Sequence, residues 1–133
     1  MPENTPTIYP ALAYRDAPAA MKFLSNAFGF AELMVAPGEN GSIVHAEMNL
    51  GSAVIMLGSN RPEMGWVSPD ELPAVSQTLY VAIDDVDAHY EKAQAAGAQI
   101  TRPLNDTDYG SREYGAKDRE GHHWSFGTYR PAV

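Results

Sequence analysis

The chain of 133 residues is 44% hydrophobic and 20% charged, which is typical of one globular domain with its own core. Its formal net charge of −8 disfavours binding to nucleic acid or to an anionic membrane, because both need clustered Lys and Arg, and no apolar run approaches the roughly 18 residues of a membrane span. The lack of cysteine excludes disulfides and thiolate chemistry, and the N-terminus lacks the basic and apolar parts of a signal peptide, so we expect a cytoplasmic protein.

The first half of the chain, about residues 7–58, has the pattern of one strand, one helix and three strands. The strand TIYPALAY runs into the helix start RDAPAA, where the carboxylate of Asp16 can cap the first turn. The helix carries one apolar stripe at helical spacing, formed by Ala20, Phe23, Leu24, Ala27 and Phe28. Three strands follow, with the sequences AELMVA, SIVHAEMNL and SAVIMLG.

The second half, about residues 77–129, repeats this order. The strand QTLYVAI leads to a helix that begins at DDVDAH with Asp85 as its cap, and His89 on this helix is predicted to be a surface residue. The strands QITRPL, REYGAKD and HWSFGTY follow. Between the halves, residues 59–76 contain three prolines and no periodicity, which indicates a loop. The sequence therefore predicts an α+β fold of two βαβββ modules in a single domain over residues 1–133.

Strand alternation divides the residues of SIVHAEMNL between two faces. The apolar face should pack under the first helix, and it consists of Val44, Ala46, Met48 and Leu50. His45 and Glu47 then share the opposite face with Ile43 and Asn49, and Met56 of the next strand lies beside them. A solvated edge strand would show the same alternation. If both modules curve in this way, their concave faces enclose a cavity with the usual make-up of a ligand site.

The doubled βαβββ order, with YVAIDDVDAHY followed by a D-x-x-G turn from Asp118 to Gly121, resembles the vicinal oxygen chelate superfamily. Within that superfamily it is similar to the glyoxalase and bleomycin-resistance group, and the resemblance covers about residues 7–129. It implies a cavity that serves either for chemistry at a divalent metal ion or for metal-free binding of a drug. It also implies a homodimer, because family members generally pair.

The resemblance further implies four metal-ligand positions, on the first and the last strand of each module. In this sequence they are Tyr9, Met56, Thr78 and Ser125. A phenol, a thioether and two hydroxyls are poor ligands for divalent metals, so we expect neither a metal nor another cofactor. His122 and His123 cannot chelate one ion together, because adjacent residues of a strand point to opposite faces; His123 shares the cavity side with Ser125.

Four further residues are candidate ligand contacts. Trp66, in the loop between the modules, either covers the mouth of the cavity or anchors the loop. Tyr80 lies on the cavity side of its strand by alternation. Arg112 and Tyr114 share one face of SREYGA, with Glu113 on the other; we favour Arg112 and Tyr114 as the inward pair, although a slip of one residue exchanges the two faces.

The function predicted from these features is metal-free binding of a small molecule that the protein sequesters, as in antibiotic resistance of the bleomycin type. The alternatives are a ligand-sensing module, or an enzyme (a lyase, isomerase or dioxygenase, as the resemblance implies) with an atypical centre at His45, Glu47 and His123. A carboxylate near an imidazole can support a general base or hold a cationic group. The sequence leaves open the ligand, and whether the cavity lies within one chain or between two. The expected partners are a small molecule and a second copy of the chain, without nucleic acid or a membrane.

Overall fold

Both predicted modules are present in a computed structural model, which describes residues 5–132. The first module consists of β1 (Ala11–Tyr14), α1 (Ala17–Phe23), β2 (Ala31–Pro37), β3 (Ile43–Leu50) and β4 (Ala53–Ser59). The second consists of β5 (Thr78–Ala82), α2 (Val86–Ala95), β6 (Gln99–Asp106), β7 (Arg112–Lys117) and β8 (His123–Gly127). The predicted α+β class and the doubled βαβββ order are confirmed.

Each module forms its own four-stranded sheet. The strand orders are β1-β4-β3-β2 and β5-β8-β7-β6, with the first strand of each module parallel to the last and the other neighbours antiparallel. The two sheets do not close on one another, so a single chain offers open pockets rather than an enclosed cavity. None of the helices in residues 5–132 is long and apolar enough to cross a bilayer.

Both main helices begin where the sequence predicts. Asp16 and Asp85 are the N-caps of α1 and α2, and each carboxylate accepts the N–H of the residue three positions later, at 3.2 and 3.1 Å. A single π-helical turn, Leu24–Phe28, extends α1 as far as Gly29, whose φ of +88° suits a residue without a side chain.

The two modules share one hydrophobic core. The ring of Phe28 lies 5.4 Å from that of Trp124 and 4.8 Å from that of Phe126, so the end of the first helical segment packs on β8 of the other module. All three side chains are buried, with no more than 1% exposed. The predicted stripe on the first helix is therefore the core face, but it covers the sheets of both modules. We call the sheet faces turned away from this core the open faces.

A buried carboxylate, Asp118, ties the two modules together. Its Oδ2 accepts hydrogen bonds from the hydroxyl of Tyr14 at 2.6 Å and from Nε1 of Trp124 at 3.1 Å. Burial, and then the negative charge of Asp118, hold the pKa of Tyr14 well above its ordinary value, so the phenol keeps its proton and remains a donor. The bond spans two modules that are distant in the sequence.

A second buried carboxylate, Glu120, fastens the loop between the modules. It accepts the backbone N–H groups of Arg15 and Asp16 at 2.5 and 2.8 Å. It also accepts the hydroxyl of Ser68 at 2.6 Å, which holds the loop against the start of α1. Charge-assisted bonds of this kind are among the stronger hydrogen bonds in proteins.

The start of β3 departs from the predicted alternation. Val44, expected under α1, is 51% exposed, whereas Ile43, expected on the open face, is 6% exposed. The pairing of β3 with β2 shifts by one residue at this point, which is the mark of a β-bulge. Beyond the bulge the alternation is regular, and Ala46 and Met48 are buried as predicted. The prediction for Val44 was wrong because a bulge leaves no trace in hydrophobic periodicity.

Candidate ligand-binding site

A pocket of about 350 Å³ lies on the open face of the first module. Its polar lining consists of His45 and Arg61. The remaining lining is apolar and is formed by Ala11, Val44, Met56, Leu57, Met64 and Trp66. The candidates His45, Met56 and Trp66 therefore meet at one pocket, although their contact with a ligand stays a prediction. The volume is near the lower end of the range for small-molecule sites.

His45 and Glu47 contact one another directly. Nε2 of His45 lies 2.8 Å from Oε2 of Glu47, and the two side chains are 38% and 36% exposed. His45 lines the pocket and Glu47 does not, so the carboxylate stands behind the imidazole and orients it. An imidazole held by a carboxylate can serve as a hydrogen-bonding group for a ligand or as a general base.

A short hairpin holds Arg61 beside Trp66. The N–H of Arg61 donates to the carbonyl of Trp66 at 2.8 Å, and the N–H of Trp66 donates back at 3.2 Å. The turn between them consists of Pro62–Met64 and of Gly65, which has a φ of +69°. The guanidinium carbon of Arg61 lies 5.6 Å from the centroid of the Trp66 ring, and its Nη2 donates to the carbonyl of Val44. This ordered hairpin places the indole at the pocket, one of the two positions that the sequence allows.

The open face of the second module carries a carboxylate that the sequence analysis did not select. Glu113 is 7% exposed, both of its oxygens lie 3.1 Å from the hydroxyl of Tyr109, and Oε1 lies 3.5 Å from Nη2 of Arg102. The bond to Glu113 raises the pKa of Tyr109, which therefore stays a donor. Glu113 pairs with Gly127, where a Cβ would approach Glu113 Cγ to 2.5 Å. A glycine opposite a strand residue was the available signal, because it leaves room for that side chain.

The prediction that Arg112 and Tyr114 face the cavity was wrong. Tyr114 is fully buried, pairs with Phe126 and stacks on it with ring centroids 5.1 Å apart, so it belongs to the shared core. Arg112 bonds to Asp87 at 2.8 Å and to Asp106 at 3.0 Å, which fixes it beside the start of α2. The burial of the Tyr114 ring decides which face of β7 turns to the core. The sequence pattern could not decide this, because both faces of the strand carry polar residues.

His89, predicted to lie on the surface, is half-buried and packs against the core. Its Nδ1 lies 2.6 Å from the hydroxyl of Tyr114 and its Nε2 lies 2.8 Å from the carbonyl of Phe28. Burial lowers the pKa of His89, which favours the neutral ring. The missed signal was helical spacing, because His89 is three residues after Val86 and four before Ala93, both of which are buried.

His123 borders different grooves from His45. One of them, of about 460 Å³, lies between β1 and the inter-module loop, and His45 does not line it. The neighbouring His122 has a structural place, with Nε2 donating to the carbonyl of Ala13 at 2.9 Å and its ring edge-on to Tyr14 at 4.8 Å. The three-residue centre considered for an enzyme is therefore not assembled around one pocket of a single chain.

The residues at the four positions that hold the metal ion in the family are poor metal ligands. The hydroxyl of Tyr9 donates to a backbone carbonyl at 2.6 Å, and that of Thr78 donates to another at 3.2 Å. Met56 offers only a thioether, and Ser125 lies across the sheet from Tyr80, which is partly exposed. Within residues 5–132, no three His, Asp or Glu side chains are grouped as metal ligands. This donor set does not fit a divalent metal ion.

Comparison with known families decides what kind of chain this is. Residues 8–126 match the model of the Glyoxalase/Bleomycin resistance protein/Dioxygenase superfamily. The chain belongs to this superfamily. The resemblance noted in the sequence is thereby confirmed, and it extends over both modules and the loop that joins them.

Individual relatives agree with this assignment. An uncharacterized protein of Mycobacterium bovis is 34% identical over 125 residues, which are 92% of this chain and 82% of that protein. The crystal structure of TioX from Micromonospora sp. ML1 is 32% identical, covers 92% of this chain and 99% of its own, and superposes with a TM-score of 0.74. The fosfomycin resistance protein FosX from Mesorhizobium loti, at 16% identity, 98% and 95% coverage and a TM-score of 0.68, shares the fold alone.

Proposed function

We propose that this protein binds and sequesters a small molecule without a metal ion, at the open face of its first module. The observation that carries the proposal is the donor set at the four family metal positions, which are Tyr9, Met56, Thr78 and Ser125. Two of these side chains already donate to backbone carbonyls, and none is a histidine or a carboxylate. Binding by shape and apolar contact needs no such ligands.

The pocket in the first module supports binding as the main activity. Apolar side chains form most of its wall, and Trp66 supplies a flat, rigid surface for stacking. The hairpin from Arg61 to Trp66 is ordered by its own hydrogen bonds, so little conformational freedom is lost when a ligand binds.

The metal content of the purified protein tests the proposal. We expect elemental analysis of protein prepared without chelator to find no divalent metal at a stoichiometric level. EDTA should leave the melting temperature unchanged, because a metal bound to the native state would stabilise it. A full complement of metal that survives dialysis, or a lower melting temperature after EDTA, would contradict the proposal.

We further propose that two copies of the chain pair through their open faces. On or beside these faces lie large apolar side chains that water reaches in a single chain, and the exposed fractions are 40% for Met34, 51% for Val44, 70% for Met64 and 37% for Tyr80. Large exposed apolar side chains on a sheet face often mark a surface that another chain covers. Light scattering at micromolar concentration should give twice the monomer mass, and a monomer mass would contradict pairing.

The contact between His45 and Glu47 favours one alternative, an enzyme in which the imidazole is a general base. The carboxylate lies 2.8 Å from the ring and would stabilise it after proton uptake. Incubation of the protein with a compound that it binds distinguishes the two functions. Recovery of unchanged compound supports sequestration, whereas turnover that Glu47→Gln abolishes without weakening binding supports catalysis.

A further inference from the structure

We infer that the pocket of the first module binds an anion attached to an apolar body, not the cationic group that Glu47 suggests from the sequence. This inference rests on the proposed binding function and specifies its ligand. The polar residues that line the pocket are His45 and Arg61, and each has side-chain nitrogen atoms that can donate hydrogen bonds to an anion. Glu47 does not line the pocket, and its carboxylate is already in contact with His45.

Arg61 and the exposed Arg119 are the two arginines of residues 5–132 that form no ion pair, and of these two only Arg61 lines the pocket. In the described part of the chain, Arg15, Arg102, Arg112 and Arg130 each lie within 3.5 Å of a carboxylate. Arg61 forms no ion pair among residues 5–132, although the chain has a formal net charge of −8. Its contacts are instead the Val44 carbonyl and the Trp66 ring, neither of which neutralises its charge.

The geometry of Arg61 suits it to bind an oxyanion. A guanidinium has five N–H donors, and the bond to the Val44 carbonyl uses only one of its edges. The indole of Trp66 lies against the charged group at 5.6 Å, and the backbone of both residues is fixed by the hairpin. A planar, pre-ordered fork of this kind binds carboxylate and phosphate oxygens in pairs.

The ligand that fits is an amphipathic carboxylate, whose aromatic or aliphatic body lies against Trp66 and Met56 while its anionic group pairs with Arg61. The apolar wall accounts for the body, and the guanidinium without a carboxylate partner accounts for the charge. A phosphate on the same body would offer similar oxygens, so the two anions must be compared directly.

Calorimetric titration of the full chain with matched probes tests this inference at low salt, where a partly exposed ion pair is least screened. The probes are 2-naphthoate, its neutral amide 2-naphthamide, the cation 2-naphthylmethylamine, and 2-naphthyl phosphate. We expect 2-naphthoate to bind about tenfold to a hundredfold more tightly than the amide, which corresponds to one charge-assisted hydrogen bond. The amine should bind more weakly than the amide. Phosphate binding more tightly than carboxylate would overturn the choice of carboxylate.

Variants locate the effect at Arg61. Arg61→Gln should reduce the affinity for 2-naphthoate to that for the amide and leave the amide unchanged, and Arg61→Lys, which keeps the charge without the fork, should fall between. The control is Arg119→Gln, since Arg119 is exposed and lies outside this pocket. Met56→Ala should weaken the amide as well, and this places the probe at this pocket, because Trp66 also lines the neighbouring groove and Met56 does not.

The outcomes separate this inference from the function on which it rests. If the amide or the amine binds the wild-type protein as tightly as 2-naphthoate, the anion preference is wrong and binding at the pocket stands. If Arg61→Gln, folded as judged by its melting temperature, binds 2-naphthoate as wild type does, the assignment to Arg61 is wrong. If no probe binds at millimolar concentration, both the inference and the proposed binding function at this pocket fail.

Discussion

Truncation of Met48 measures which side of β3 belongs to the core. Its side chain is 1% exposed, and large-to-small changes at buried methionines cost about 2–5 kcal/mol of unfolding free energy. Met48 also borders a groove of about 560 Å³ next to α1, so neighbouring side chains and water can partly fill the space. We therefore expect Met48→Ala to cost about 2–3 kcal/mol, the lower part of that range.

The matched control is Val44→Ala, four residues earlier on the same strand. Because the bulge leaves Val44 51% exposed in a single chain, this change should cost no more than about 1 kcal/mol, which allows for the proposed contact with a second copy. Urea denaturation at one fixed protein concentration gives both values from the midpoints and slopes. Glu47→Gln, on the open face, should unfold close to wild type. Equal losses for Met48→Ala and Val44→Ala, or a larger loss for the latter, would refute the bulge and the face assignment that depends on it.

Three other changes test the core and the second module. Tyr14→Phe should cost about 1.5–3 kcal/mol in urea denaturation, because it removes a buried bond to a carboxylate, whereas Tyr9→Phe, which removes an exposed hydroxyl, should be near neutral; equal effects would contradict this. Since burial lowers the pKa of His89, the unfolded chain takes up the proton first on acidification, so stability should fall as the pH drops below about 6.5. His89→Gln should reduce the dependence of the melting temperature on pH in this range. An unchanged dependence would show that His89 does not cause it. Gly127→Ala should lower the free energy of unfolding by about 1–3 kcal/mol, because the added methyl group overpacks against Glu113, and a silent change would argue against the tight approach.

Periodicity predicted most of the fold because it reports burial averaged over a whole element. Asp16 and Asp85 cap the helices as predicted, since capping depends on residues adjacent in sequence. Val44 was misplaced because a bulge shifts one residue without altering the pattern of apolar positions. Local features were predictable, and single-residue shifts of register were not.

In the candidate site, too, the sequence predicted the features that depend on local pattern and missed those that depend on the folded chain. His45, Met56 and Trp66 meet at one pocket, since alternation and the position of the loop predict their side of the sheet. Arg61 was not selected, because its importance depends on the lack of a carboxylate neighbour, which is a property of the folded chain. The inward side of β7 was chosen wrongly, because Tyr114 has a polar tip and a large apolar body, and the core buried the body.

The buried acids of the Asp118 to Glu120 turn have a consequence for how the chain is made and how it can be recombined. Glu120 accepts hydrogen bonds from two N–H groups at the start of α1, and it lies 105 and 104 residues after them in the sequence. The first module therefore leaves the ribosome without the Glu120 carboxylate, and the start of α1 gains this acceptor only after most of the second module has been synthesised. Contacts of such separation are slow to form. A chimera that exchanges one βαβββ module between relatives must accordingly carry this turn with the β1–α1 junction that it serves.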